Sequence, residues 1–486
     1  MRSGEIMFIW HSCDVVVVDV RREVEEIVGA RWVVDGEDAA LFGFDAFTAV
    51  KGRPRLVALP ADEEQTVRLM ALLYRTGTPI IFRGSGTSLS GSTVALTGDE
   101  VVVSLTRLNR VYRCEGLEIE VGPGLANVLV TRHAPHDLFY APDPSSYTVC
   151  SIGGNVSHDS GGIHVPKYGS TFNSVVKLRV ALCDGSVEDV GGTPYFNGAN
   201  IFVGSEGGLG AVLRATLRLH PRPETTRTVL GAFQDVASAA RAVSAIYQEG
   251  VIPAAVEMMD RNSIGVVEKS RYKAGYPDCA ALLLVECDGY TPQVEEEVRR
   301  VRSAFERLGG EVRVPENPAE NSRLWLGRKG AFPAMGVVSP AYLTLDSIVP
   351  RAELASVLEE VGRIAERRGV MVANVFHAAD GNLHPLIPYN PESPQSLENA
   401  LRAGWEIVEA SIRRGGVPSG EHGVGIEKAR FMHQYYSQPE LEVLWRIKRV
   451  FDPDRLLNPY KMLYENPPET GDRVVSLLYT KPWEAE

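Results

Sequence analysis

Six cysteines are spread over 486 residues, at Cys13, Cys114, Cys150, Cys183, Cys279 and Cys287, and no two of them form a Cys-x-x-Cys pair. That scatter argues against a thiolate metal site, an iron–sulfur cluster or a disulfide framework, and leaves buried, reduced thiols. Positive charge is scarce too. Fifty Lys and Arg stand against 62 Asp and Glu, a net of −12, which speaks against an electrostatic nucleic-acid surface. No basic cluster of the lipid-binding kind stands out. Long apolar runs are missing as well: His11 and Asp14 break the N-terminal run, no signal-peptide pattern follows, and no stretch is long enough to span a bilayer. A soluble, cytoplasmic protein is expected.

The chain has room for two or three domains at roughly 100–200 residues each. Its hydrophobic fraction of 44% and charged fraction of 23% are ordinary for a globular protein. Short β-type runs separated by glycine dominate from about residue 55 to 219, at 56–59, 79–82, 101–105, 117–121, 175–182 and 212–219. Val67, Met70, Ala71 and Tyr74 share a helical face between the first two. Pro221 and Pro223 mark the exit from this α+β nucleotide-type domain. Beyond it, a strand at 281–286 precedes a helix with Val294, Val298, Val301, Phe305 and Leu308 on one face, then a strand from 311. A second such unit has Leu354, Leu358, Val361 and Ile364 on a helix ended by Gly369, and a strand at 370–376 that runs into His377. Repeated helix–strand units suggest an antiparallel sheet with helices on one face, ferredoxin-like in arrangement. A last helix carries Leu441, Leu444, Ile447 and Val450, and residues after about 467 read as a surface tail.

Two groups of residues carry chemistry. Arg83-Gly-Ser-Gly-Thr-Ser88 follows a strand, and successive backbone N–H groups with hydroxyls in such a loop can cradle a pyrophosphate. It is not a Rossmann fingerprint, because Leu89 occupies the third glycine's place, and it has no Walker A lysine. A flexible turn is the competing reading. The second group is His377, His384 and the Glu421-His422 pair. Two imidazoles and one carboxylate form a common first shell for a divalent ion that keeps positions open. A lone histidine at a strand end is more often a hydrogen-bonded scaffold residue, and a Glu-His pair can simply face solvent. The intervening Asp380-Gly-Asn lets a turn fold His384 back beside His377.

Further segments join these: Ala-Pro-Asp-Pro-Ser-Ser at 141–146, Ser-Ile-Gly-Gly-Asn at 151–155, Gly-Ser-Glu-Gly at 204–207, Asn-Val-Phe-His at 374–377, Asp-Gly-Asn-Leu-His at 380–384 and Ser-Gly-Glu-His-Gly at 419–423. The ordered set resembles the FAD-linked oxidases of 2-hydroxy acids, with an FAD domain of the vanillyl-alcohol oxidase and p-cresol methylhydroxylase type. Within them it is similar to the group of glycolate oxidase D subunits and D-lactate dehydrogenases, from about residue 53 to 461. The resemblance implies an α+β fold with four parts. These are a helical lead-in at 1–50, an FAD-binding domain at 51–223, a ferredoxin-like substrate domain with a metal site at 224–425, and a segment at 426–486 whose helices return to the flavin.

In that family the loop Arg83, Gly84, Ser85, Gly86, Thr87 and Ser88 would hold the FAD pyrophosphate. Pro142, Asp143, Ser145, Ser151, Gly153, Gly154, Asn155 and Gly162 would line the flavin and ribityl chain. Glu206 would lie toward the adenosine, Val212 would also contact the cofactor, and Asn458 and Lys461 would return to the ring. Covalent relatives have a histidine in the first loop where this chain has Thr87-Ser88, so noncovalent FAD is expected. The family more often has Gly where Tyr460 stands. The resemblance also implies zinc or manganese on His377, His384 and Glu421, with His422 as general base and Arg328 paired with the substrate carboxylate. From the residues alone, Arg328 could equally be a surface arginine next to Lys329. Relatives that oxidise D-2-hydroxyglutarate have polar residues where Phe332 and Leu386 stand, so glycolate or D-lactate is the expected substrate.

Electrons would leave to an iron–sulfur partner subunit and a quinone-linked acceptor, with any membrane contact made through partners. A stand-alone D-lactate dehydrogenase with a soluble acceptor is the alternative among enzymes. A non-catalytic, flavin-binding assembly subunit is the alternative from another class, although a scaffold needs none of the four metal-site residues. A flavin-dependent ether-lipid synthase suits the fold but not those residues.

Overall fold

The computed structural model describes residues 7–9, 16–193 and 195–480, with side chains from Asp19 onward. The expectation for the first fourteen residues therefore lies largely outside the described part. The lead-in is helical at Val20–Val28, where Asp19 accepts from Arg22 N at 3.3 Å, and at Gly36–Ala39.

Four strands form the first sheet, in the order Val33–Val34, Leu56–Ala58, Val101–Ser104, Ile80–Arg83. The last three are parallel, and the run Val101-Val-Val-Ser is buried throughout, as parallel strands covered on both faces require. Helix Glu63–Arg75 is sandwiched. Leu69, Leu72 and Leu73 pack on this sheet, while Met70 with half-buried Val67 packs on a second one. The face expected from Val67, Met70, Ala71 and Tyr74 is thus the half-buried side of a helix covered on two sides. The second sheet is antiparallel, in the order Val187–Gly191, Val175–Ala181, Ala211–Arg218, Glu118–Val121, Val111–Glu115.

The next part begins as a ferredoxin-like βαββαβ unit. Strand Thr225–Phe233, helix Val236–Gln248, strands Ala255–Asp260 and Ala281–Gly289, helix Thr291–Arg307 and strand Glu311–Arg313 follow in sequence. The sheet continues from Ala255–Asp260 onto Ala373–His377. Helices 236–248, 291–307 and 354–368 cover one face, where Phe233 meets Phe305 edge-on at 5.5 Å. Gly369, at φ +63, ends the last of them in the left-handed conformation expected of a C-terminal glycine.

Helices do not keep to one face, as the sequence suggested. Arg261–Glu268 and Pro318–Lys329 cover the other, packing Leu324 and Trp325 against Leu230, Leu282 and Leu284. Pro318–Lys329 shows no apolar stripe because two of its buried residues are Gly327 and Arg328.

The C-terminal chain returns to the first sheet, where Ile80 N donates to Leu456 O and Asn458 N to Ile80 O, each at 2.7 Å. The residues after 467 are not a surface tail. Helix Arg473–Tyr479 buries Val475, Leu478 and Tyr479 in a core shared with Trp405 and Phe431. Seven residues are too few to show helical periodicity against so polar a flank. Among the described residues no helix is long and apolar enough to cross a membrane.

Candidate active site

The glycine-rich loop leaves the end of strand Ile80–Arg83 and meets the N-terminus of helix Ile152–His158. A Cβ on Gly84 would collide with Ser151 Oγ, the hydroxyl that caps that helix by accepting from Gly154 N at 3.3 Å. Gly86 sits at φ +71 against the Arg83 guanidinium. Arg83 Nη1 donates to Thr93 Oγ1 at 3.0 Å, and Thr93 Oγ1 donates to Asp45 at 3.2 Å. Burial pushes the Asp45 carboxyl up to about 6. Replacing Gly84 by alanine is expected to abolish FAD binding with the fold retained. Flavin content of the purified variant beside its far-UV spectrum checks this, and a flavin-replete G84A would refute it.

The loop lines a cavity of about 560 Å³ with Gly84, Ser85, Gly86, Thr87 and Ser88, within the size range of cofactor sites. Ser145, Ser151, Gly154 and Asn155 share that lining. A narrower adjoining cleft has Arg83, Gly153, Glu206 and Val212 in its wall. Pro142, Asp143 and Gly162 line neither space. Pro142 O accepts from Asn127 Nδ2 at 3.0 Å, an amide that also donates to Asn155 at 3.0 Å. Asn458 and Lys461 border a separate pocket with Glu206, and Asn458 Nδ2 donates to Glu206 O at 2.5 Å. The Glu206 carboxylate is taken up by Val424 N at 2.6 Å and Gly425 N at 2.9 Å, tying the part that carries the glycine-rich loop to the loop after His422. Asn458, Tyr460 and Met462 all have positive φ, at 44°, 65° and 58°, so Tyr460 occupies a left-handed position suited to glycine.

Sequence reasoning missed several residues here. Phe44, Asp45 and Ala46 from the lead-in line the cavity, as does His158. His158 Nε2 lies 2.8 Å from Ser92 Oγ, which donates to Ser88 Oγ at 2.9 Å, a chain that fixes the loop's hydroxyls. Its only sequence signal is its place one turn after Gly154.

Three side chains converge behind the wall that Glu421 lines. Strand Ala373–His377 ends in His377, and Asp380 accepts from Asn382 N at 3.1 Å to close the turn. Gly381 lies at φ +76 hard against Val349 O, where no Cβ fits. The turn brings the His377 and His384 rings to 5.0 Å, as the spacing predicted. Glu421 Oε1 lies 3.3 Å from His377 Nε2 and 3.4 Å from His384 Nε2. Two ligand atoms on a tetrahedral zinc with bonds of about 2.0–2.2 Å stand about 3.3 Å apart. His384 is 1% exposed, and its Nε2, the nitrogen facing Glu421, lacks a hydrogen-bond partner, as a metal ligand's would. The donor set fits a divalent cation.

The loop carrying Glu421 and His422 is held by its backbone. Asp346, fully buried, accepts from Gly420 N at 2.9 Å, Glu421 N at 3.1 Å, His422 N at 2.9 Å and Ser419 Oγ at 2.6 Å. Burial would raise its carboxyl, but the buried Lys428 ammonium beside it holds it well below the usual carboxylate range. Burial would also raise Glu421, yet His377 and His384 bring it down to about 2. The His422 imidazole stacks on His384 at 4.7 Å with Nε2 3.8 Å from Glu421. Burial pushes it down to about 3, so it is neutral at pH 7. Glu421 and His422 both line the 560 Å³ cavity.

Arg328 is not a surface residue. It is 3% exposed and ion-paired with Glu257, whereas its neighbour Lys329 lines the cavity. Phe332 also lines it, with its ring 6.0 Å from that of His384. Leu386 is fully buried behind it in the cap core and does not reach the cavity.

A latch joins the two parts beside the site. Lys167 and Tyr168 both bond Asp288, Tyr168 Oη donating at 2.6 Å. His164 lies 3.0 Å from Asp143 and 3.1 Å from Glu286. Burial alone would lower this imidazole, but the two carboxylates raise it from 6.5 to about 10. A folded value above the unfolded one means the stabilisation is complete below about pH 6.5 and lost as pH rises through about 10. Melting temperature should therefore fall between pH 7 and 10, and fall less steeply in His164→Gln. Parallel pH profiles for the two proteins would exclude the latch as the cause.

The comparisons with known proteins agree with this geometry. Residues 54–191 match the family described as FAD binding domain, and residues 222–462 match FAD linked oxidases, C-terminal domain. The chain is 39% identical to glycolate oxidase subunit GlcD of Escherichia coli K12, over 90% of this chain and 89% of that one. It is 26% identical to the D-lactate dehydrogenase of Anaerostipes hadrus, over 93% and 98%. Among solved structures, 4-ethylphenol oxidase from Gulosibacter chungangensis superposes with a TM-score of 0.76 over 92% of this chain and 97% of that one, at 17% identity.

Proposed function

The chain belongs to the FAD-linked oxidase family, and on that premise we propose that it oxidises a small D-2-hydroxy acid, glycolate or D-lactate, to the 2-oxo acid. Residues 51–223 hold noncovalent FAD, residues 224–425 hold zinc or manganese and the substrate, and the C-terminal segment from residue 426 returns to the FAD part at Leu456 and Asn458. One observation carries the reading. His377, His384 and Glu421 stand at ligand spacing with His422 beside them, and Glu421 and His422 reach into the wall of the cavity that the glycine-rich loop lines. When bound, the flavin supplies the two-electron acceptor and the cation supplies the charge that makes the 2-hydroxyl acidic.

The protein's own groups do the rest. His422, neutral and with Nδ1 unpartnered, accepts the hydroxyl proton. Lys329, on the last turn of helix Pro318–Lys329, lines the cavity and supplies positive potential for the substrate carboxylate, whereas Arg328, expected in that role, is paired with Glu257 and does not line it. Phe332 closes the wall with an apolar ring, against which a second carboxylate would stand unpaired. The electrons pass to an external acceptor, an iron–sulfur partner subunit and the quinone pool beyond it, which would also supply any peripheral membrane contact. A non-catalytic flavin-binding subunit is the second reading, and the buried ligand set speaks against it.

Dye-linked turnover with glycolate, D-lactate, L-lactate and D-2-hydroxyglutarate tests the substrate. Glycolate or D-lactate should lead in kcat/KM, and a strong preference for D-2-hydroxyglutarate would sink the small-acid reading.

A further inference from the structure

Glu257 lies on strand Ala255–Asp260, fully buried, with apolar Val256 and Met258 on either side in sequence. A carboxylate there is costly unless it is paired. Strand register sets it directly opposite His377, and its Oε1 lies 2.7 Å from His377 Nδ1. Its other oxygen faces the Arg328 guanidinium. His377 is 2% exposed, so the three groups form one line buried from solvent, ending at the nitrogen that faces Glu421.

We propose that Glu257, charge-balanced by Arg328, is a positioning residue for a borderline divalent cation such as zinc. It takes the His377 Nδ1 proton as a hydrogen bond and so fixes the tautomer whose Nε2 lone pair points at the metal position. The inference rests on the reading of His377, His384 and Glu421 as ligands. A carboxylate in this place also raises the basicity of the imidazole it orients, which a backbone carbonyl does less well. Arg328 is needed because an unpaired Glu257 would be an isolated buried charge. The arginine thereby acts on the metal side of the site, through Glu257.

The test is zinc affinity by chelator competition on the FAD-loaded protein, with flavin content and melting temperature read alongside. Glu257→Gln should weaken zinc by about 10–100-fold, the range for groups that orient a ligand. Arg328→Lys keeps the charge and should stay within a few-fold of the parent. The double variant Glu257→Gln, Arg328→Met removes both charges at similar volume, and should keep flavin and melting temperature while showing the same zinc loss. Parental zinc affinity in the glutamine variant, single or double, overturns the proposal and leaves the ligand reading standing. If the double variant fails to fold, the contrast between the two single variants decides. A parent protein that holds neither zinc nor manganese overturns both.

Discussion

Glutamine in place of His422 is expected to lower turnover by about 10²–10⁴-fold, the usual contribution of a positioned general base. Flavin and metal content should be unchanged. The structure makes this a clean substitution. Asp346 holds the loop through backbone N–H groups of Gly420, Glu421 and His422, which no side-chain change removes. The imidazole itself makes a stacking contact with His384 and leaves Nδ1 unpartnered. Glutamine keeps the volume and loses the proton acceptor. A variant that retains parental turnover with metal in place would assign the proton to another group.

Losing the metal should also cost turnover. Glu421→Gln is expected to strip the cation and reduce turnover by more than about 100-fold, beyond the range for groups that only orient a ligand. The carboxyl of Glu421 sits at about 2, so it is ionised throughout the working range, and its loss leaves the imidazoles of His377 and His384 as the remaining donors. Burial disfavours the charged form of His377, yet Glu257 and Glu421 raise it well above the ordinary histidine value. A proton and a metal therefore compete for its Nε2, and lowering the pH should release the cation. Flavin should remain bound in Glu421→Gln, since that carboxylate makes no contact with the glycine-rich loop's hydrogen-bond network. Metal analysis and flavin absorbance on the same sample separate the two effects, and parental activity in a metal-free Glu421→Gln would refute the metal's role.

Much of this was legible in the chain. The glycine-rich loop and the His-Asp-Gly-Asn-His turn are local, and their backbone needs are written in glycine positions such as Gly84 and Gly381. Of the ferredoxin-like unit, helix 291–307 showed through its apolar face; its other helix, 236–248, did not, and helix 354–368, expected in a second such unit, instead follows it and packs on the same face. What stayed hidden were the buried carboxylates. Glu257, Asp346 and Asp45 sit among apolar neighbours without periodicity, and their partners lie far along the chain, from 48 positions for Asp45 and Thr93 to 120 for Glu257 and His377. Arg328 reads like its neighbour Lys329 because nothing local tells a buried arginine from an exposed one. Helix Pro318–Lys329 hides its buried face by using Gly327 and Arg328 on it.

The central claim is that flavin reduction by a small 2-hydroxy acid depends on the cation held by His377, His384 and Glu421. Anaerobic mixing of the metal-loaded protein with D-lactate or glycolate should bleach the flavin's visible band. The same protein stripped by a chelator should stay oxidised, and zinc or manganese should restore the bleaching. Bleaching at an unchanged rate in the stripped protein would contradict the account.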